Sequence, residues 1–210
     1  MATELPFGLS YEVITEWVIM FVLIVGSFLL TRNLKKIPDK KQALLEKLYL
    51  TVESVVTGTM GESYRNFIPY IGSLIIYLLA LNFTGLIGIA PPTQNLSVTF
   101  ALALTTFMTI HYTAISRNGF GHYLKGYGHP FIVMLPINIV ERIMLPVSLA
   151  LRLFGNMLAA TILVDLIYES LPRFGIPIIA HAYFDLFDGT IQMLVFSMLT
   201  MIQIKLMAEE

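Results

Sequence analysis

Long apolar runs separated by short polar links set the pattern of this chain. The first spans residues 13–31 around Trp17 and closes on Arg32, Lys35 and Lys36. At 1.5 Å rise per residue, about 18–20 residues cross the hydrocarbon core of a bilayer, so this run predicts a spanning helix. Residues 67–89 and 96–116 predict two more, joined by the turn Ala90-Pro91-Pro92-Thr93-Gln94-Asn95. Residues 131–170 make a run about twice the spanning length, with Pro136 and Pro146 inside it. Residues 178–208 again exceed one perpendicular crossing. Excess length has to be tilted, kinked or protruding. The link between these last runs is short and holds Pro172, Gly175 and Pro177, which predicts an antiparallel hairpin.

Residues 42–60 read differently. Leu44, Leu45, Leu48, Val52, Val55 and Val56 recur at helical spacing, while Glu46, Lys47 and Glu53 take other faces. That period predicts an amphipathic helix on the membrane surface, the alternative being a helix packed on other protein. The expected fold class is therefore an all-α integral membrane protein. It has one domain over residues 1–210, with spanning helices, a surface helix and a long tilted C-terminal hairpin.

Composition agrees. Of 210 residues, 56% are hydrophobic and 13% charged, and the mean hydropathy is +0.75. Soluble domains carry about a quarter charged residues. A net charge of -1, with no basic block, gives no footprint for nucleic acid. With no cysteine, disulfides, thiolate metal sites and thiol nucleophiles are excluded. Met1–Glu16 carries acids and no Lys or Arg, unlike a cleaved signal peptide, so the first apolar segment is expected to be retained. Arg32, Lys35, Lys36, Lys40, Lys41, Lys47, Arg65, Arg117, Lys125 and Lys205 fall on one side of the predicted spans, and Arg173 on the other. The positive-inside rule then places the N-terminus outside and the C-terminus inside.

Two arginines remain within the fourth crossing. Arg142 stands beside Glu141, near the helix end, and fits a structural role. Arg152 stands in Leu149-Ala150-Leu151-Arg152-Leu153-Phe154 with no acid nearby. An arginine at mid-membrane costs ~2.5–3.5 kcal/mol on insertion scales. It cannot escape by losing its proton. Such a residue marks a functional site, here most simply an ion path. Equal counting from Phe174 sets Arg152 opposite Gln192–Phe196 and Asp165 opposite Tyr183–Asp185. On the last helix, His181, Asp185, Asp188 and Gln192 are spaced to share one face of an α-helix. Asp165, Glu169, Asp185 and Asp188 lie between Arg152 and the outer side, and Glu141 lies about 16 Å toward the inner side. The pattern is two half-paths separated by a fixed positive charge.

Pro146-Val147-Ser148-Leu149-Ala150-Leu151-Arg152-Leu153-Phe154-Gly155-Asn156-Met157 closely resembles the signature of subunit a of rotary F-type ATP synthases. Leu135-Pro136-Ile137-Asn138, Glu141, Ile191-Gln192-Met193, Phe196 and Leu199-Thr200 extend the likeness. So do Asn82, Gly85-Leu86, Pro92-Thr93, Asn95-Leu96 and Thr99. It covers nearly all the chain from Phe67; before that only the layout is similar. The resemblance implies a rotating c-subunit ring with mid-membrane carboxylates, peripheral-stalk b subunits, a carried H⁺ or Na⁺, and no cofactor. It implies a bacterial plasma membrane and a subunit that is not catalytic by itself. Arg152 is then the cation facing the ring, with Asn156 one turn on and Gln192 its polar neighbour. Glu141 matches an acid of the inner half-channel. Where many members carry Glu and His, this chain has Thr161 and Asp185. The outer path through Asp185 and Asp188, with Asp165, Glu169 and His181 in support, is therefore an expectation from spacing.

Two other classes compete with this reading. A secondary transporter with a buried arginine substrate site would show inverted repeats and paired broken helices, and the halves do not match. An intramembrane enzyme would need a zinc motif or nucleophile constellation that the sequence lacks.

Overall fold

The computed structural model describes residues 11–32, 34–36, 38–121, 123, 135–170 and 182–209, without the side chains of residues 169, 170 and 182. Among these residues every regular element is helical. The order is α1 (Tyr11–Thr31), α2 (Lys40–Met60), a 3₁₀ turn (Glu62–Phe67), α3 (Ile68–Asn82), 3₁₀ turns at Phe83–Ile87 and Pro92–Gln94, α4 (Leu96–Asn118), α5 (Leu135–Ser170), a π-helix (Ala182–Asp188) and α6 (Gly189–Glu209). Five helical segments among the described residues are long and apolar enough to cross a membrane: Tyr11–Thr31, Glu62–Ile87, Leu96–Asn118, Leu135–Tyr168 and Tyr183–Glu209. The chain is an all-α integral membrane protein.

α1 buries no residue and exposes Trp17, Phe21, Val22, Ile24 and Phe28. Lipid offers no hydrogen-bond partners, so its hydroxyls turn back on their own helix. Thr15 donates to the Tyr11 carbonyl at 2.9 Å and Thr31 to that of Ser27 at 2.7 Å. Thr105, Thr109 and Thr113 make the same bond in succession down α4. Against α3, α1 is tied by Tyr77, whose hydroxyl donates to Glu16 Oε1 at 2.8 Å.

α2 divides its apolar stripe. Val52, Val56 and Met60 are buried with Tyr64, Ile68 and Ile71, and with Met201 and Ile204 of α6. Leu48 and Leu44, one and two turns before Val52, are exposed. The N-terminal half thus presents apolar surface outward, while the C-terminal half is part of the bundle. Gly61, at φ 100, ends the helix in a conformation that only glycine takes easily, and its N–H closes on the Thr57 carbonyl. Arg65 then ties the following turn back to Glu53 at 2.7 Å and Glu62 at 3.0 Å.

α3, α4, α5 and α6 form the body. A second core joins Leu74 and Leu78 of α3, Ala103 of α4, Leu149, Ala150 and Leu153 of α5, and Met193 and Phe196 of α6. α4 packs along both α5 and α6, and its last turn is anchored by Asn118, which donates to the Ala208 carbonyl at 3.2 Å. α5 has 36 residues. At 1.5 Å each that is ~54 Å, against a hydrocarbon core of ~30 Å, so α5 crosses tilted or protrudes. Pro146 sits inside it.

Leu78 is fully buried, at 0% exposure, in this second core. Leu78→Ala is expected to cost about 2–5 kcal/mol, read as a lower unfolding temperature of the detergent-solubilised assembly. An unchanged temperature would show that the α3–α6 contact is not what holds the bundle.

Candidate functional site

On α5, Leu149, Leu153, Met157, Ala160 and Val164 are buried at helical spacing and define its inward face. Arg152 lies off that face and is exposed. Among the described residues it makes no hydrogen bond and no ion pair. Arg142 contrasts with it on the same helix. Arg142 is 7% exposed and stacks over the Tyr123 ring, 5.4 Å from its centroid. That packing turns the neighbouring Glu141 outward, where it is exposed.

One turn beyond Arg152, Asn156 is also exposed, and its Nδ2 donates to Gln192 Oε1 of α6 at 2.8 Å. This bond has the antiparallel register obtained by equal counting from Phe174. Gln192 is 2% exposed, and its Nε2 has no protein partner among the described residues. The bridge therefore links the exposed face of α5 to the interior of the bundle.

The other polar residues converge elsewhere. Asn82, fully buried, donates from Nδ2 to the Gly189 carbonyl at 3.0 Å and accepts from Thr93 Oγ1 at 3.2 Å. α3 and α6 approach closely here: a Cβ on Gly189 would lie 2.9 Å from Asn82 Cβ. Asp185 is 6% exposed and seats its carboxylate against Gly85. Gln94 donates to Thr161 of α5. The 3₁₀ turns after α3 thus gather the first residues of the last segment and the second half of α5 around one polar node.

The π-helix alters one expectation. A straight α-helix would put His181, Asp185, Asp188 and Gln192 on one face. The wider π turn, with i→i+5 bonding, changes the angle between successive residues. Asp185 accordingly packs on the Gly85 turn, whereas Gln192 turns to Asn156 on α5. Asp188 is half-buried and Asp165 exposed. His181 and the side chain of Glu169 lie outside what is described. Sequence reasoning missed Gln94 and the pairing of Gly85 with Asp185. Its only signal for the second was a small residue following Asn82 in a motif. Among the described residues no cluster of His, Asp and Glu is arranged to hold a metal.

The family model of the ATP synthase A chain matches residues 13–205. The chain belongs to this family. Curated relatives match over most of their length. One is the "ATP synthase subunit a, sodium ion specific" of Propionigenium modestum, 34% identical over 95% of this chain and 74% of that protein. Another is "ATP synthase subunit a 1" of Hahella chejuensis, 36% identical over 95% of this chain and 84% of its own length. A third is "ATP synthase subunit a" of Trichlorobacter lovleyi, 37% identical over 94% and 87%. Family membership makes this chain a subunit of the ion-transporting membrane sector of an ATP synthase.

Asn82→Leu keeps the side-chain volume while removing both hydrogen bonds. Leaving the buried Gly189 carbonyl and Thr93 without that partner is expected to cost about 1–3 kcal/mol, measured by thermal unfolding of the solubilised assembly. Stability equal to the parent would show that the Asn82 bridge does not hold α3 to α6.

Proposed function

We propose that this chain is the ion-translocating stator subunit, which gives a rotating c-subunit ring two offset half-channels. One observation carries the reading. Arg152, in the apolar middle of a spanning helix, is exposed and unpaired among the described residues. A permanent cation in lipid is costly, and no group of the described chain offsets it here. A carboxylate on a neighbouring subunit would. Such a partner, one on each c subunit at mid-membrane, explains why the helix turns this residue outward.

The chemistry follows from charge. As a loaded c-subunit carboxylate approaches Arg152, the nearby guanidinium favours its ionised form and the ion leaves. The same charge repels a free cation, so the two half-paths do not join into a leak. An emptied site passes Arg152, reloads on the other side and is carried round by the ring. Asp185, with Asp188, Asp165, Glu169 and His181 around it, belongs to the outer path, and Glu141 to the inner one. Asn156 and Gln192 keep the arginine's surroundings polar. The driving work is ~2.3 kcal/mol per charge per 100 mV.

This reading puts the N-terminus outside and the C-terminus in the cytoplasm of a bacterium, with peripheral-stalk b subunits among the partners. The subunit moves ions and leaves ATP chemistry to the rest of the complex. The carried ion is H⁺ or Na⁺. ATP synthesis driven by a Na⁺ gradient with a protonophore present separates the two.

Arg152→Ala is expected to abolish ion-driven ATP synthesis in vesicles while the complex still assembles; synthesis retained at the parent rate would overturn the coupling role. Asp185→Asn is expected to slow outer-side ion access more than Asp165→Asn in passive flux through the membrane sector. Equal rates would remove the preference for Asp185. Glu141→Gln is expected to slow exchange with the inner side, and unchanged exchange would take it off the path.

A further inference from the structure

We propose that Gly85 is a positioning residue: the space of its missing side chain is the seat of the Asp185 carboxylate, so residues 85 and 185 share one volume that holds one acid. The proposal rests on the reading of Asp185 as an outer-path acid and adds what fixes that acid in place.

A Cβ built on Gly85 would stand 2.6 Å from Asp185 Cγ and Oδ1 and 2.7 Å from Oδ2. No such approach survives without movement, because a carboxylate carbon and an added methyl need well over 3 Å between them. The reason for glycine here is space alone. Gly85 is not among the glycines of positive φ, whereas Gly88, three residues on, has φ 77. An L side chain at 85 is therefore allowed by the backbone but would force the Asp185 carboxylate to move.

The surrounding structure holds this approach. Asn82 reaches the Gly189 carbonyl at 3.0 Å, and the bare Gly189 lets the helices close to that distance. From this clamp the chain runs three residues forward to Gly85 through a 3₁₀ turn and four back to Asp185 through the π-helix. The level at which residues three and four steps from the clamp meet is given by the contact itself, since the Asp185 carboxylate lies against Gly85. The buried contact between Gly85 and Asp185 thus lies next to the Asn82–Gly189 bond, with an irregular turn on each side of it.

A shared volume predicts that the acid can be delivered from either side. The test uses the whole ATP synthase in membrane vesicles, with ion-driven ATP synthesis and passive flux as readouts. Asp185→Gly empties the seat, and Gly85→Asp crowds a second acid into it, where two like charges oppose each other. Each single variant is expected to lose roughly tenfold or more in rate. The double variant Gly85→Asp/Asp185→Gly is expected to recover at least half of the parent rate. Gly85→Asn/Asp185→Gly fills the same space without charge and is expected to stay as low as Asp185→Gly. A merely structural contact would be repaired equally by Asp and Asn.

A double variant no faster than Asp185→Gly, whether or not it assembles, overturns the shared seat. Equal recovery by Asn and Asp overturns it too, as does a Gly85→Asp single variant at the parent rate. If Asp185→Gly alone runs at the parent rate, the outer-path role of Asp185 fails, and the proposal built on it fails with it. Loss without rescue overturns the seat alone.

Discussion

An unneutralisable charge on the exposed side of an apolar helix constrains everything around it. Guanidinium stays protonated at any relevant pH, so Arg152 cannot adapt as a buried lysine or carboxylic acid does. Its helix solves the packing problem with the opposite face, where Leu149, Leu153, Met157, Ala160 and Val164 enter the body. The same helix shows what a satisfied arginine looks like: Arg142 is buried and stacked on Tyr123. Two arginines on one helix thus have opposite fates. Arg142 is packed within the chain, and Arg152 is exposed with no partner among the described residues.

Around Arg152 the winding is regular, and around Asp185 it is not. The 3₁₀ turn at Phe83–Ile87 and the π-helix at Ala182–Asp188 interrupt two membrane segments at the same place. Irregular backbone at membrane depth is tolerated where it is covered by protein or lines a polar cavity. Here it is covered by Asn82, Thr93 and Asp185, all of them buried. The bare Gly85 and the turned-in carboxylate of Asp185 both lie within these irregular segments. The polar node and the backbone irregularity are one feature, since each supplies the hydrogen bonds and the space that the other needs.

Most of the fold was legible because apolar run length and helical period are written in every residue of a spanning segment. The hairpin register was legible too, because a short link between two long helices leaves little freedom in pairing. Counting from Phe174 gives the Asn156–Gln192 pairing that the hydrogen bond has. What stayed hidden has a common cause. Ala182–Asp188 contains no glycine or proline to announce a π-helix, so straight winding placed Asp185 and Gln192 on one face. The division of α2 was hidden because Leu44 and Val56 have the same period and differ only in what lies beside them. The Gly85–Asp185 contact joins residues a hundred positions apart, and a glycine gives no sign of what fills its empty side.

The two sites sit at different depths of the bundle, and this difference bears on how a path would work. Asp185 is inside, held by turns of its own chain, while Arg152 is on the surface. On the proposed path, an ion moving between them would pass from a preorganised interior to an exposed face. Asn156 and Gln192 span that step, one exposed and one buried, joined by a single hydrogen bond. Neither amide carries charge, so neither forms an ion pair with the guanidinium. An acid in their place would neutralise Arg152 from within the chain and remove the field that a ring carboxylate is proposed to meet. On the proposed reading, neutral, polar amides at this step would keep the charge of Arg152 available to a ring carboxylate.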